Sequence, residues 1–227
     1  MAVIISIIYI KTRGDMKEKQ AVLSLGSIKE GLVFVKSKTI IWSTMVLDFF
    51  STFFSSVSAL FPIFAKDILH VGPQGLGLMY AAPSIGAILA GFVMAHMGTL
   101  SKQGKILLVS IVFFAIGTII FGLSKSFILS LLALFIVGAG DSVSTIIRHT
   151  IRQIVTPDYI RGRMTSINMI FFMGGPQLGE FQSGLMAAFI GAPLAVALGG
   201  VGTLVVVGIM AYAVPTLRRY DNHTTIL

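Results

Sequence analysis

Long stretches without a formal charge limit what this chain can fold into more than any other feature. Between Ile40 and Ala65 the only charge is Asp48, and from Ile68 to Ser101 there is none. A third stretch runs from Ile106 to Ser124, and a fourth, from Ser126 to Ile147, is interrupted only by Asp141. Met164 to Leu217 contains a single charge, Glu180. A bilayer-crossing helix needs about 20 mainly apolar residues at roughly 1.5 Å each. Two spans therefore fit around the loop Lys66-Asp67, and one span fits each of the third and fourth stretches. The last stretch is too long for one crossing and divides at Gly191-Ala192-Pro193 into spans five and six. The expected fold is an all-α membrane protein with a six-transmembrane-helix bundle over residues 39–217.

Composition excludes the soluble alternatives. The chain is 55% hydrophobic and 11% charged, against roughly a quarter charged in ordinary soluble domains. Its formal charge of +8 does not mark a nucleic-acid partner, because the basic residues sit between apolar runs rather than on a soluble basic face. They follow the positive-inside pattern instead. Residues 11–38, the loop near Lys102, an expected cytoplasmic loop over 148–163 and the tail after Pro215 hold 15 of the 17 lysines and arginines, leaving Lys66 and Lys125. That alternation puts both termini on the cytoplasmic side. With no cysteine, neither disulfides nor thiolate metal sites are available.

Met1 to Ile10 are apolar but cover only about 15 Å, half of the hydrocarbon, and are expected to be the remnant of a preceding transmembrane helix. Residues 11–38 form a polar cytoplasmic linker. Within it Leu25, Ile28, Leu32 and Val35 recur at helical spacing opposite Lys29 and Lys36, which predicts a short amphipathic helix on the membrane surface. Ser27 followed by Glu30 fits a capping box. Residues 218–227 are a cytoplasmic tail.

Ionisable groups in a bilayer cost several kcal/mol and call for a reason. Asp48 and Asp141 fall in the cytoplasmic half of their spans, and Glu180 lies nearer the other face. They are candidates for a proton or cation path, or for carboxylates tied to neighbouring hydroxyls or arginines. Gln177 and Gln182 flank Glu180 and could line the same path. Thr145, Arg148 and Arg152 follow Asp141 at four, seven and eleven residues and share its helix face. Arg148 could pair with a carboxylate on another helix or, the preferred reading, anchor the span at the headgroups. Gly86, Gly91, Gly117, Gly138, Gly140, Gly174, Gly175, Gly179, Gly199, Gly200 and Gly202 offer close helix contacts, and Pro83 and Pro176 offer kinks. Trp42 and Tyr80 suit interfacial anchoring. The four histidines have no metal-ligand spacing, so no metal or cofactor is expected.

Gly138-Ala139-Gly140-Asp141 also fits the Gly-x-Gly-Asp pattern of intramembrane aspartyl proteases, a rival from another class. Asp48, three spans earlier, is not where the partner aspartate of such proteases lies.

Leu69-His70-Val71-Gly72-Pro73-Gln74-Gly75-Leu76-Gly77, the loop Thr156-Pro157-Asp158-Tyr159-Ile160-Arg161-Gly162-Arg163 and the segment Leu178-Gly179-Glu180-Phe181-Gln182-Ser183-Gly184 together resemble the major facilitator superfamily. The resemblance is to its carboxy-terminal half, and within it to the drug and siderophore exporter branch. It implies half of a twelve-helix fold in a bacterial plasma membrane, with substrate held between two bundles that rock against each other. It also implies efflux of a small molecule, with proton antiport as the expected coupling. Gly91 matches the glycine of the superfamily's Gly-x-x-x-Asp-Arg loop, but Ala95 stands where its aspartate belongs. The partner for this half would be an amino-terminal six-helix half or a second copy of the chain. A non-transporting scaffold or degenerate gene product is the alternative.

Overall fold

The computed structural model describes residues 25–98 and 101–221. The expected helix remnant at 1–10, the linker up to residue 24 and the tail from residue 222 lie outside the described residues.

Every described element is helical. α1 (Leu25–Ser37) leads into α2 (Thr39–Ser55). After Ser56 takes extended backbone, the chain resumes through a 3₁₀ turn (Ser58–Leu60), one α turn (Phe61–Ile63) and a π turn (Phe64–Ile68). Then follow α3 (Gly72–His96), α4 (Gln103–Leu123), α5 (Phe127–Val155), α6 (Asp158–Ile190), α7 (Ala192–Ala213) and the short α8 (Pro215–Arg218). Among the described residues five segments are long and apolar enough to cross a membrane: Thr39–Ile68, α3, α4, α5 and α7. The sixth expected span, within α6, is longer still at 33 residues, but Gln177, Glu180 and Gln182 lower its apolarity. The predicted division between the last two spans holds. Gly191, at φ +83° in a region that favours glycine, turns the chain, and Pro193 sits in the first turn of α7.

α5 packs between α3 and α4, α4 also meets α7, and α2 meets α6 and α7. One apolar core joins Leu47, Leu107, Ile111, Ile147, Ile151 and Leu217. A second, toward the opposite end, gathers Phe61, Phe64, Met79, Phe121, Leu134 and Val196; the Phe64 and Phe121 rings stack at 4.4 Å. Lipid gives little hydrophobic drive between helices, so close contact must supply the cohesion. Glycines provide it. A Cβ on Gly138 would lie 1.9 Å from the Pro83 carbonyl oxygen, and one on Gly86 would lie 2.1 Å from that of Phe135, so α3 and α5 can meet only with bare backbone there. Both Pro83 and Pro176 sit inside continuous helices.

α1 differs from expectation in two ways. It begins at Leu25, so Ser27 lies inside the helix rather than at its cap, and Glu30 instead accepts from Arg163 of α6 at 2.5 Å. Its buried face is Gly31 and Val35, packed with Met164 and Ile167 of α6 and Ile41 and Met45 of α2, while Leu32 is exposed. The helix is thus seated on the bundle, because Gly31 lets α6 approach where a larger residue would hold it off.

Candidate functional site

Charged side chains converge where α2, α5 and α6 meet. Thr44 and Asp48, four residues apart, share one face of α2; Asp141, Thr145, Arg148 and Arg152 form the expected stripe on α5. Arg148 Nη2 lies 3.0 Å from Asp48 Oδ1 and 3.8 Å from Asp141 Oδ1, and donates to Thr145 Oγ1 at 2.8 Å. Arg152 is fixed on all sides. Its Nη2 donates to the Thr44 carbonyl at 3.0 Å and lies 3.4 Å from Asp48 Oδ2; Nε donates to Thr44 Oγ1 at 3.2 Å, and Nη1 donates to Asn168 Oδ1 of α6.

Asp48, Arg148 and Arg152 are each about 2% exposed, whereas the Asp141 side chain is 48% exposed. One buried carboxylate therefore serves two buried guanidiniums. Asp141 completes the neutrality of the four groups from a position open to the outside. A charge left unpaired in such a setting is costly, so the arrangement is stable only as a set. Asp141 borders a hollow of about 390 Å³ whose wall includes Ser84, Ser142, Thr145 and Phe172.

These contacts correct two expectations and bear on the rival protease reading. Arg148 does not anchor α5 at the headgroups; it is buried and paired across to α2, because Asp48 supplies the counter-charge that a bilayer interior lacks. The stretch 148–163 is not a loop. α5 continues to Val155, Thr156-Pro157 is the whole joint, and α6 starts at Asp158. Nor are Asp48 and Asp141 a protease dyad. Aspartyl proteases need two carboxylates sharing a proton, and here an arginine stands within reach of both.

The other candidates are elsewhere. Glu180 accepts from Ser58 Oγ at 2.6 Å, some 18 Å along α6 from Asn168 at about 1.5 Å per residue. Gln182 Nε2 contacts the Met186 sulfur, and Gln177 is exposed. Thr44 and Asn168 were not legible as partners. The available signal was indirect: two arginines four residues apart on a membrane helix need more acceptors than one aspartate offers.

A helical bundle with five segments long and apolar enough to cross a membrane among its described residues, and a buried ion-pair cluster between its helices, defines a multi-pass membrane protein. Residues 1–226 match the major facilitator family model MFS_3, described as transmembrane secretion effector, and the chain belongs to that family. It is 26% identical over 198 residues to the enterobactin exporter EntS of Citrobacter koseri, and 25% identical to those of Escherichia coli O81 and Shigella boydii serotype 18. In each case 86% of this chain aligns with 47% of the relative. The chain thus spans about half the length of the curated relatives it matches, and its helices correspond to one half of a major facilitator bundle.

Proposed function

We propose that this chain is the carboxy-terminal bundle of a secondary active carrier that exports a small molecule of the drug or siderophore class by proton antiport. The observation that carries the reading is Arg148, within reach of both the buried Asp48 and the half-exposed Asp141. A proton arriving at Asp141 from the hollow removes the more distant of the two carboxylate partners of Arg148. Arg148 then belongs to Asp48 alone, and the contact from α5 to α2 tightens. Loss of the proton restores the shared arrangement. Proton occupancy is thereby converted into a change in how α2 and α5 are held, which is what an alternating-access carrier requires.

The half-length match to enterobactin exporters supports an exporter of twelve helices, completed by an amino-terminal six-helix half or a second copy. The bundle sits in the cell membrane with both ends cytoplasmic. Support for that orientation survives the burial of Arg148 and Arg152: setting those two aside leaves 13 (15 − 2) basic residues on the cytoplasmic side against two opposite.

The test is efflux from cells making the complete carrier that contains this bundle, alongside proton release from the same carrier in vesicles. Asp141→Asn should abolish substrate-driven proton release while substrate binding persists. Proton release at the native rate in that variant would overturn the assignment.

A further inference from the structure

α2 is interrupted far from the arginine cluster, and the interruption has a carboxylate beside it. Ser56 leaves the helix with extended backbone, and the following turns are 3₁₀, α and π in succession. Such irregular backbone is tolerated at membrane depth only where protein or a polar cavity satisfies it. Here no backbone N–H of the described residues donates to the carbonyls of Phe53, Phe54 or Ser55. The Phe53 carbonyl is directed at α6, where a Cβ on Gly179 would lie 2.4 Å from it. The next residue on α6 is Glu180. Its carboxylate accepts from Ser58 Oγ at 2.6 Å, and Tyr80 of α3 donates to the Ser58 carbonyl at 3.4 Å. α7 brings no charged residue, and its nearby hydroxyl, Thr203, is bonded to Ser55 at 2.7 Å.

We propose that Glu180 and the broken turn of α2 form a second proton site, separate from the Asp48–Asp141 centre, whose occupancy decides whether the segment after Ser56 stays clasped to α6. With Glu180 ionised, the Ser58 hydroxyl donates a charge-assisted bond, and this bond ties Ser58 to α6. With Glu180 protonated, the carboxyl becomes a weaker acceptor and turns its O–H toward an unpartnered carbonyl at the end of α2. The clasp on Ser58 loosens, and the turn around Ser58 and Ala59 is free to shift, while Phe61 and Phe64 keep the rest of the segment in the second core. The site needs no substrate and is independent of the antiport reading. Other charged or titratable groups at this end are Lys66 and Asp67 on the same segment, His70 beyond it, Tyr80 on α3 and Lys125 between α4 and α5; all five are exposed.

The chain has no cysteine, so single-cysteine labelling needs no background removal. Ala59, exposed and next to Ser58, is replaced as Ala59→Cys, and the full chain in liposomes is alkylated with a maleimide across a pH series, each rate being divided by that of free cysteine at the same pH to remove the thiolate's own pH dependence. Labelling is expected to rise about five-fold on acidification, the population change that corresponds to the difference of about 1 kcal/mol between a charge-assisted and a neutral hydrogen bond. Glu180→Gln should give high labelling at every pH, as should Ser58→Ala with Glu180 intact. His70→Gln should leave the response in place. A buried reporter, Ala115→Cys, must stay unlabelled in each background; where Glu180→Gln unfolds, Ser58→Ala decides. Persistence of the pH response in Ser58→Ala or Glu180→Gln, its loss in His70→Gln, or a response to sodium but not to pH would overturn the proposal.

Discussion

Replacing Asp48 by asparagine removes the one buried anion among two buried cations while keeping the shape of the side chain. Breaking a buried pair by deleting one partner costs about 3–5 kcal/mol, because the surviving charge stays buried. Arg152 retains the Thr44 carbonyl, Thr44 Oγ1 and Asn168. Arg148 retains Thr145 and the more distant Asp141. These contacts place the loss near the lower bound, about 3 kcal/mol, or roughly 100-fold in the folding equilibrium. Asp141→Asn is expected to cost under about 1 kcal/mol, since Asp141 is half exposed and lies 3.8 Å from its partner. The assay is built into the chain. Trp42, the only tryptophan, lies two residues before Thr44 and meets the Phe171 ring of α6 edge-on at 5.7 Å. Its fluorescence during denaturant titration in mild detergent therefore follows the separation of α2 from α6. Changing Asp48, Arg148 and Arg152 together to leucine and methionines should recover most of the lost stability, because no charge is left unpaired. Equal midpoints for Asp48→Asn and the native chain would refute this account of the cluster, as would equal losses for Asp48→Asn and Asp141→Asn.

Three further outcomes follow from packing and burial. Gly138→Ala should lower stability by about 1–3 kcal/mol in thermal unfolding, because its methyl would meet the Pro83 carbonyl; Gly91→Ala, whose nearest neighbour would be Ser142 Oγ at 4.0 Å, should be nearly neutral. Burial raises the Tyr220 phenol above its usual value of 10.0, so the folded state holds that proton more tightly than the unfolded chain. The resulting stability is complete below about pH 10 and is lost as pH climbs through the folded value; Tyr220→Phe should flatten that alkaline loss in a pH series of unfolding midpoints. Gly31→Leu should detach α1 from α6, seen as faster amide exchange in α1 with little change in the transmembrane helices, because its Cβ would already lie 2.8 Å from Ile167.

The fold was legible where physics is one-dimensional. Charge-free length sets the number of spans, and Gly191 with Pro193 ends one helix and starts the next for local reasons. Polar stripes are also local, so Asp141, Thr145, Arg148 and Arg152 could be placed on one face before any contact was known. What periodicity cannot supply is the rotation and axial offset of one helix against another. That offset makes Asp48 the partner of two arginines and brings in Asn168 from sixteen residues beyond Arg152. The same lack explains the misplaced end of α5. Two arginines near the end of an apolar run look like a loop until a buried anion is found to hold them inside. The break in α2 was equally hidden, since Ser55-Ser56-Val57-Ser58 contains neither glycine nor proline.

The two carboxylate sites divide the bundle by height, and this has a mechanical consequence. Asp48 on α2 and Ser58 in the turn that follows belong to one membrane-length segment, Thr39–Ile68, interrupted at Ser56, so its two ends are held to α6 by different chemistry. At one end Arg152 ties Thr44 to Asn168 through a guanidinium that stays charged over the whole working range of pH. At the other the tie is a single hydroxyl on a carboxylate. The first clamp therefore keeps its charge as pH changes, whereas the second is the one that the proposed proton site would release. A rigid helix would transmit motion at Ser58 directly into the cluster, but the extended backbone at Ser56 uncouples the two. On the proposed reading the turn at Ser58 can then shift while the arginine cluster stays closed and Phe61 and Phe64 keep the rest of the segment in the second core.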